Sequence, residues 1–355
     1  MMRMPVLTAA VTAALAGGLA AAPASAIEAK ISGHVARALM FVDDGDRSDS
    51  FFVDPETSNT RFRFVGAGDI GGGMKAGINW EVEMVSNNSS KVSFAERNTG
   101  GLDLNERHLD VFLQGAFGKV SLGQGDGAAN GGVEVDLSGT SIVNYAGVTD
   151  IGASIRFQDG GTAGPKIGEV IDQFDFESRY DRVRYDTPPL GPFGLAVSFG
   201  SKGGDGDDVI EVAGRYAGEL GGGGRLAAAV GFSTRDTKDK GDVETSGGSI
   251  SWLHPSGFNV TAALSHREDD DMLDADYWYL KLGYRQGRHA VSVDFASAED
   301  EAQQGDDADM VGIGYVFKPI ASVELFAGVK VHSLDRSGAN FDDITIATLG
   351  SRVKF

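Results

Sequence analysis

The residues in this chain best suited to act on a solute are charged, and they fall into two sets. One is acidic: Asp126, Glu134 and Asp136 lie in a glycine-rich stretch from Lys119 to Tyr145, KVSLGQGDGAANGGVEVDLSGTSIVNY. The other is basic, with Arg61 and Arg63 on either side of Phe62, and Arg182 and Arg184 on either side of Val183. Carboxylates facing guanidinium groups across a narrow aqueous passage would set up a transverse field. Such a field orients polar solutes and slows apolar ones that must displace ordered water. The competing reading is that the arginines pair with neighbouring carboxylates such as Glu81 and Glu83, and that the acids belong to a solvated loop. Arg37 and Arg107 share the parity of apolar neighbours, so they either snorkel or sit at a subunit contact.

Other chemistry is poorly supported. The six histidines (His34, His108, His254, His266, His289, His332) are scattered singly, without zinc-type spacing. There is no Gly-x-Ser-x-Gly elbow and no P-loop. The run Gly203 to Asp208 matches one calcium-binding nonapeptide, but a β-helix needs several in tandem. A balance of 31 basic against 51 acidic residues, net charge -20, argues against nucleic-acid binding. The acids cluster at Asp43–Asp49, Asp205–Asp208, Glu268–Asp276 and Glu299–Asp309. Two readings stay open for them: solvated loops, or loops sharing one end of the molecule and holding divalent cations through carboxylate oxygens. No other cofactor or metal site is expected.

The elements that must position these charges are strands. Met74, Ala76, Ile78, Trp80, Val82 and Met84 alternate with Lys75, Gly77, Asn79, Glu81 and Glu83, and eleven residues of that alternation match a tilted membrane strand. The pattern recurs, and strands are expected near 28–42, 57–68, 74–85, 105–116, 119–124, 178–187, 195–200, 208–216, 225–233, 243–254, 258–267, 276–286, 288–298, 307–317, 322–334 and 342–355. Connections alternate between tight turns, such as Pro255–Gly257 and Gly287, and longer acidic ones. That asymmetry belongs to an all-β, up-and-down antiparallel transmembrane barrel of about sixteen strands, whose radius leaves an aqueous channel. Tyr277, Trp278, Tyr279, Tyr284, Phe295, Tyr315, Phe317, Phe326 and Phe355 lie near strand ends, where such barrels carry aromatic girdles.

Residues 1–26 read as an export signal: Arg3, an apolar run from Val6 to Ala22, and Ala24-Ser25-Ala26 for cleavage. The barrel domain is then 27–355. Cysteine is absent, so packing and the backbone ladder must hold the fold. Within the domain one connection, 125–177, is about fifty residues long, improbable in a compact fold unless it has a task. We read it as folding inward and narrowing the barrel.

The turn and strand Phe117-Gly118-Lys119-Val120-Ser121-Leu122-Gly123, the acidic glycine-rich segment after it, Ile31-Ser32-Gly33, Val183-Arg184-Tyr185-Asp186-Thr187 and terminal Phe355 together resemble the Gram-negative general diffusion porins of the outer membrane. The resemblance implies a sixteen-stranded homotrimer among outer-membrane lipid and lipopolysaccharide, with its third loop in the lumen. It implies passive diffusion of small hydrophilic solutes and ions, and no enzymatic activity. By likeness, Asp126, Glu134 and Asp136 form the loop side of the constriction, Arg61 and Arg63 the basic wall, and Phe355 the assembly signal. The long connection exceeds what the family needs, leaving room for a hairpin around Ile151–Phe157. A substrate-selective channel for sugars or anions, and a plugged structural or adhesive barrel, are the alternatives.

Overall fold

The alternation that starts at Ile27 produces an almost purely stranded molecule. The structure, a computed structural model, describes residues 27–101, 103–203, 207–237 and 241–355. The expected export signal and Asp205 of the second acidic run lie outside the described residues. The first strands are β1 (Glu28–Asp43), β2 (Ser48–Val53), β3 (Arg61–Gly71), β4 (Met74–Val85), β5 (Asp103–Gly115) and β6 (Gly118–Asp126). A small separate hairpin follows, β7 (Arg156–Asp159) with β8 (Thr162–Lys166). Then come β9 (Arg179–Asp186), β10 (Phe193–Lys202), β11 (Asp207–Leu220), β12 (Gly224–Thr237), β13 (Gly241–Leu253) and β14 (Phe258–Asp269). β15 (Ala275–Gln286), β16 (His289–Glu299), β17 (Asp307–Ile320), β18 (Val323–Asp335) and β19 (Ile344–Lys354) complete the set.

Neighbours pair antiparallel, and β19 returns to β1 with Leu39 opposite Leu349, so the sheet closes. β2 and β3 occupy successive halves of one position beside β1, which makes sixteen positions in the wall. The second position is therefore not the single strand expected over 57–68: β3 starts only at Arg61, and β2, which was not expected, fills the other half of it. The position breaks at Pro55, which has no N–H to give a ladder. Residues 54–60 turn inward, and the gap is patched by side chains. Thr60 Oγ1 accepts from Ala36 N at 3.1 Å in place of a strand partner, and Arg37, on the outer face, donates to Ser86 O at 2.7 Å. The hairpin of β7 and β8 begins within the Ile151–Phe157 region but stays out of the barrel sheet, so the strand count is unchanged.

Period two sorts the two faces. On β15, Trp278, Leu282 and Tyr284 are exposed outward, whereas Tyr277, Tyr279 and Lys281 are buried inward. On β14, Leu264 points out while Thr261 and Ser265 point in. Apolar outside and polar inside is the inverse of a water-soluble domain and is what a bilayer solvates. Paired aromatics line the turn end: the rings of Phe193 and Tyr216 are 5.1 Å apart and those of Trp252 and Phe258 are 6.4 Å apart. Tyr277, Tyr279 and Phe326 are not girdle residues, because their parity turns them into the lumen.

One end carries short turns and the other the longer acidic loops. At the loop end the outward carboxylates come into direct cross-strand register: Asp276 faces Glu299, Glu299 faces Asp307, and Asp307 faces Asp335. Like charges placed so are mutually destabilising. Among the described residues no group of three or more histidines and acids is placed to hold a metal ion.

Candidate functional site

β6 and β9 are adjacent in the wall, with Lys119 opposite Asp186 and Asp126 opposite Arg179. The residues between them, Gly127 to Ser178, are therefore the tip of one enlarged hairpin. Val133, Ile142, Val143, Ile151, Ile155, Ile167, Ile171 and Phe174 from this tip are buried in one cluster with wall residues such as Met40, Tyr279, Ala296, Met310 and Ile346. Those wall residues face inward, so one side of the lumen is apolar where the loop leans on it. Glycine makes the seat flat: a Cβ on Gly314 would stand 2.8 Å from Val143 Cγ1, and one on Gly328 would stand 2.5 Å from Val143 Cγ2. Gly314 and Gly328 are paired in register.

Polar groups of the wall then take up the loop backbone. Cations receive its carbonyls: Arg184 bonds Gly127 O at 2.8 Å, Arg215 bonds Asn130 O at 2.9 Å, Arg285 bonds Leu137 O at 3.1 Å, and Lys281 bonds Asn144 O at 2.8 Å. Hydroxyls receive its N–H groups: Ser198 accepts from Ala128 at 2.7 Å, Ser249 from Val135 at 3.0 Å and Ser251 from Leu137 at 2.9 Å. A loop without secondary structure needs such partners to be buried at all. The β7–β8 hairpin is fixed separately, by Asp342 N on Gln158 O at 2.8 Å and by Phe157 against Phe341.

The acids named from the sequence divide among three surroundings. Asp136 is buried 2.5 Å from Lys281 Nζ on the far wall. Glu134 accepts from Gln173 Nε2 at 2.6 Å within the loop itself. Burial raises the Glu134 carboxyl above its ordinary range; Gln173, Arg179 and Arg107 pull it down, and Asp126 pushes it up. Asp126, at the loop root, lies 3.5 Å from Arg179 and 3.6 Å from His108.

The arginines divide likewise. Arg182 is buried, 2.9 Å from Asp110, and also donates to Gly123 O at 2.7 Å. Arg184 joins Asp186 at 2.7 Å. Arg61 and Arg63 do meet neighbouring acids: Glu81 lies 3.5 Å from Arg61 and 3.8 Å from Arg63, and Arg63 Nε donates to Asn79 at 2.9 Å. Arg63 nonetheless keeps 46 % of its side chain exposed, whereas Lys281 on the loop-covered wall has 0 %.

Sequence parity misplaced Arg107. The β4–β5 ladder slips between Glu81 and Val82, so Glu81 pairs His108 while Val82 pairs Glu106, and Arg107 is the extra residue of a β-bulge. The bulge turns it inward to bond Glu81 at 2.8 Å and Glu83 at 2.9 Å. The one local sign was a charged residue on the parity of Leu109 and Val111, which does not by itself tell a bulge from a snorkelling side chain. Arg179, Arg215, Lys281 and Arg285 were also missed; their signal was a charged residue on the polar parity of strands that face the long loop. Tyr145 and Asp150, bonded to each other in the loop, complete its polar surface. Burial, then the nearby Glu56, pushes the Asp150 carboxyl up to about 8.

Comparisons agree with this architecture. A family described as Gram-negative porin matches residues 8–337. Among solved structures the chain resembles an anion-selective porin from Comamonas acidovorans (TM-score 0.65, 16 % identity, covering 93 % of this chain and 100 % of that one). It also resembles outer-membrane expressed OmpT of Vibrio cholerae (TM-score 0.62, 13 % identity, 94 % and 100 %) and a mutant of Rh. blastica porin (TM-score 0.56, 16 % identity, 92 % and 100 %). No curated protein matches it in sequence. A closed sixteen-position barrel, apolar outside and polar within, over which that family matches nearly end to end, makes this chain a member of the Gram-negative porin family, an outer-membrane diffusion channel.

Proposed function

We propose that this chain forms a general diffusion pore for small hydrophilic solutes and ions, with its constriction between the long loop and the wall of β3, β4 and β5. One observation carries the reading: the loop leans on the β10–β19 side, where inward groups at its height such as Ser249, Ser251, Lys281, Asp294 and Lys330 are buried, and leaves Arg63 on the opposite wall exposed. Arg61, Arg63 and Arg107 then line one side of the passage and Glu134 of the loop the other, with Asp126 at the loop root beside β5 where the two meet. Glu134 is close enough to feel both Arg107 and Arg179. Arg182 and Arg184 work mainly as anchors of the loop root, and Asp136 works as an anchor to Lys281. No cofactor or catalytic step is needed for this task.

The apolar outer band supports a home among lipid and lipopolysaccharide, and we take residues 1–26 to be the removed export signal. Assembly as a homotrimer is part of the same reading. The test is single-channel current of the refolded protein in planar bilayers. Ohmic steps arriving in threes support a trimeric open pore, and saturable transport would replace it with a substrate-selective channel. Silence from folded protein would leave a plugged barrel with a structural or adhesive role.

A further inference from the structure

Resting on the reading of the chain as a pore, we propose that the channel is charged oppositely along its axis, and that a basic vestibule below the loop concentrates small carboxylate- or phosphate-bearing anions. The loop end is acidic, as its outward register of Asp276, Glu299, Asp307 and Asp335 shows. The lumen on the turn side of the loop has the opposite balance. Four of its acids each stand directly across the ladder from a base: Asp69 from Lys75, Asp186 from Lys119, Glu219 from Arg225, and Glu324 from Arg352.

That leaves Lys30, Arg184, Arg215, Arg285, Lys318 and Lys354 on the inward parity of the same lower region, against two further acids, Glu28 and Glu211, the latter in the ladder row of Arg184 through Ser198. Arg184, Lys318 and Lys354 do bond acids, but acids already matched: Asp186 at 2.7 Å and Glu324 at 2.8 and 3.0 Å. The excess is therefore real, in a protein whose net charge is -20. Fixed charge of one sign inside a low-dielectric wall focuses its field into the water it encloses, and raises the local concentration of counter-ions. The Debye length, about 10 Å at 0.1 M salt, is on the scale of such a lumen, so the field reaches across it.

An anion meets repulsion at the outer rim and attraction below the loop. A cation meets the reverse order. The narrow part carries bases on one side and acids on the other, whereas the vestibule beneath it is mainly basic, so the vestibule tips permeation and the outer rim governs only approach.

Reversal potentials of the full-length refolded protein under a potassium chloride gradient test this. At low salt the pore should prefer chloride, and replacing Lys30→Gln, Lys75→Gln and Lys354→Gln together should lower that preference by about twofold or more. The rim pair Asp276→Asn with Glu299→Gln should leave its sign unchanged. In the unmodified protein the preference should fade towards 1 M salt, where the Debye length is about 3 Å. A cation preference in the unmodified protein, or an anion preference that neither the triple variant nor salt moves, overturns the axial reading alone. Folded protein that passes no current overturns the pore reading and this one with it.

Discussion

Lys281, on the inner face of β15, holds its ammonium 2.5 Å from the Asp136 carboxylate of the long loop, with neither side chain open to water. A buried ion pair of this kind is weak support while intact, but costly once halved. Lys281→Met should therefore destabilise the folded barrel by about 3–5 kcal/mol, and the double variant Lys281→Met with Asp136→Asn by much less. Thermal unfolding in detergent of the unmodified protein, Lys281→Met, Asp136→Asn and the double variant checks the cycle. Equal losses in the single and double variants would mean that the pair does not hold the loop.

The Arg107 bulge predicts a selectivity change. Arg107→Ala leaves Glu81 and Glu83 without their nearest cationic partner, which adds negative potential at the narrow part. Permeation should move towards cations by about twofold or more. Arg63→Ala should move it the same way with less loss of stability, because Arg63 is more exposed and its acid contact is longer. Reversal potentials and melting curves on both variants decide whether the two effects separate.

Gly314 offers a steric test of the loop seat. A valine there has to push against Val143 and Asn144, both about 2.8 Å from its Cβ. The loop should be displaced off the wall into the lumen, and unit conductance should fall. The outward neighbour Ile313, changed to valine as a control, should leave conductance alone. Unchanged current in Gly314→Val would show that the loop does not set the pore width.

Two loop carboxyls predict a direction for stability against pH. Burial first, and a neighbouring acid second, pushes Asp150 and Glu301 each up to about 8; the neighbours are Glu56 and Asp172. In the unfolded chain they titrate near 3.8 and 4.5. Between those values and about 8 the folded chain holds protons that the unfolded chain has lost, so their contribution to stability falls as pH rises through that window. It levels off above. Unfolding midpoints at pH 5 and pH 8.5 should differ less in Asp150→Asn with Glu301→Gln than in the unmodified protein.

Much of this was written in local sequence. Period two from Ile27 onward decides which residues face lipid, and residues such as Pro255, Gly257 and Gly287 mark where the chain must turn, so closure into sixteen positions followed from patterns a few residues long. β2 was not read from the sequence, because Ser48–Val53 starts within an acidic run that looks like a loop. What the tertiary structure alone decided were the partners across long separations. No local pattern says that Lys281 meets Asp136, that Gly314 lies beneath Val143, or that a one-residue bulge turns Arg107 to Glu81. The inward apolar residues of β1 and β17, such as Met40 and Met310, look like a lapse in alternation until the loop is seen to cover them. Strand faces follow from the chemistry of neighbours in sequence, whereas the resting place of a loop is chosen by the burial and hydrogen bonds the whole wall offers it.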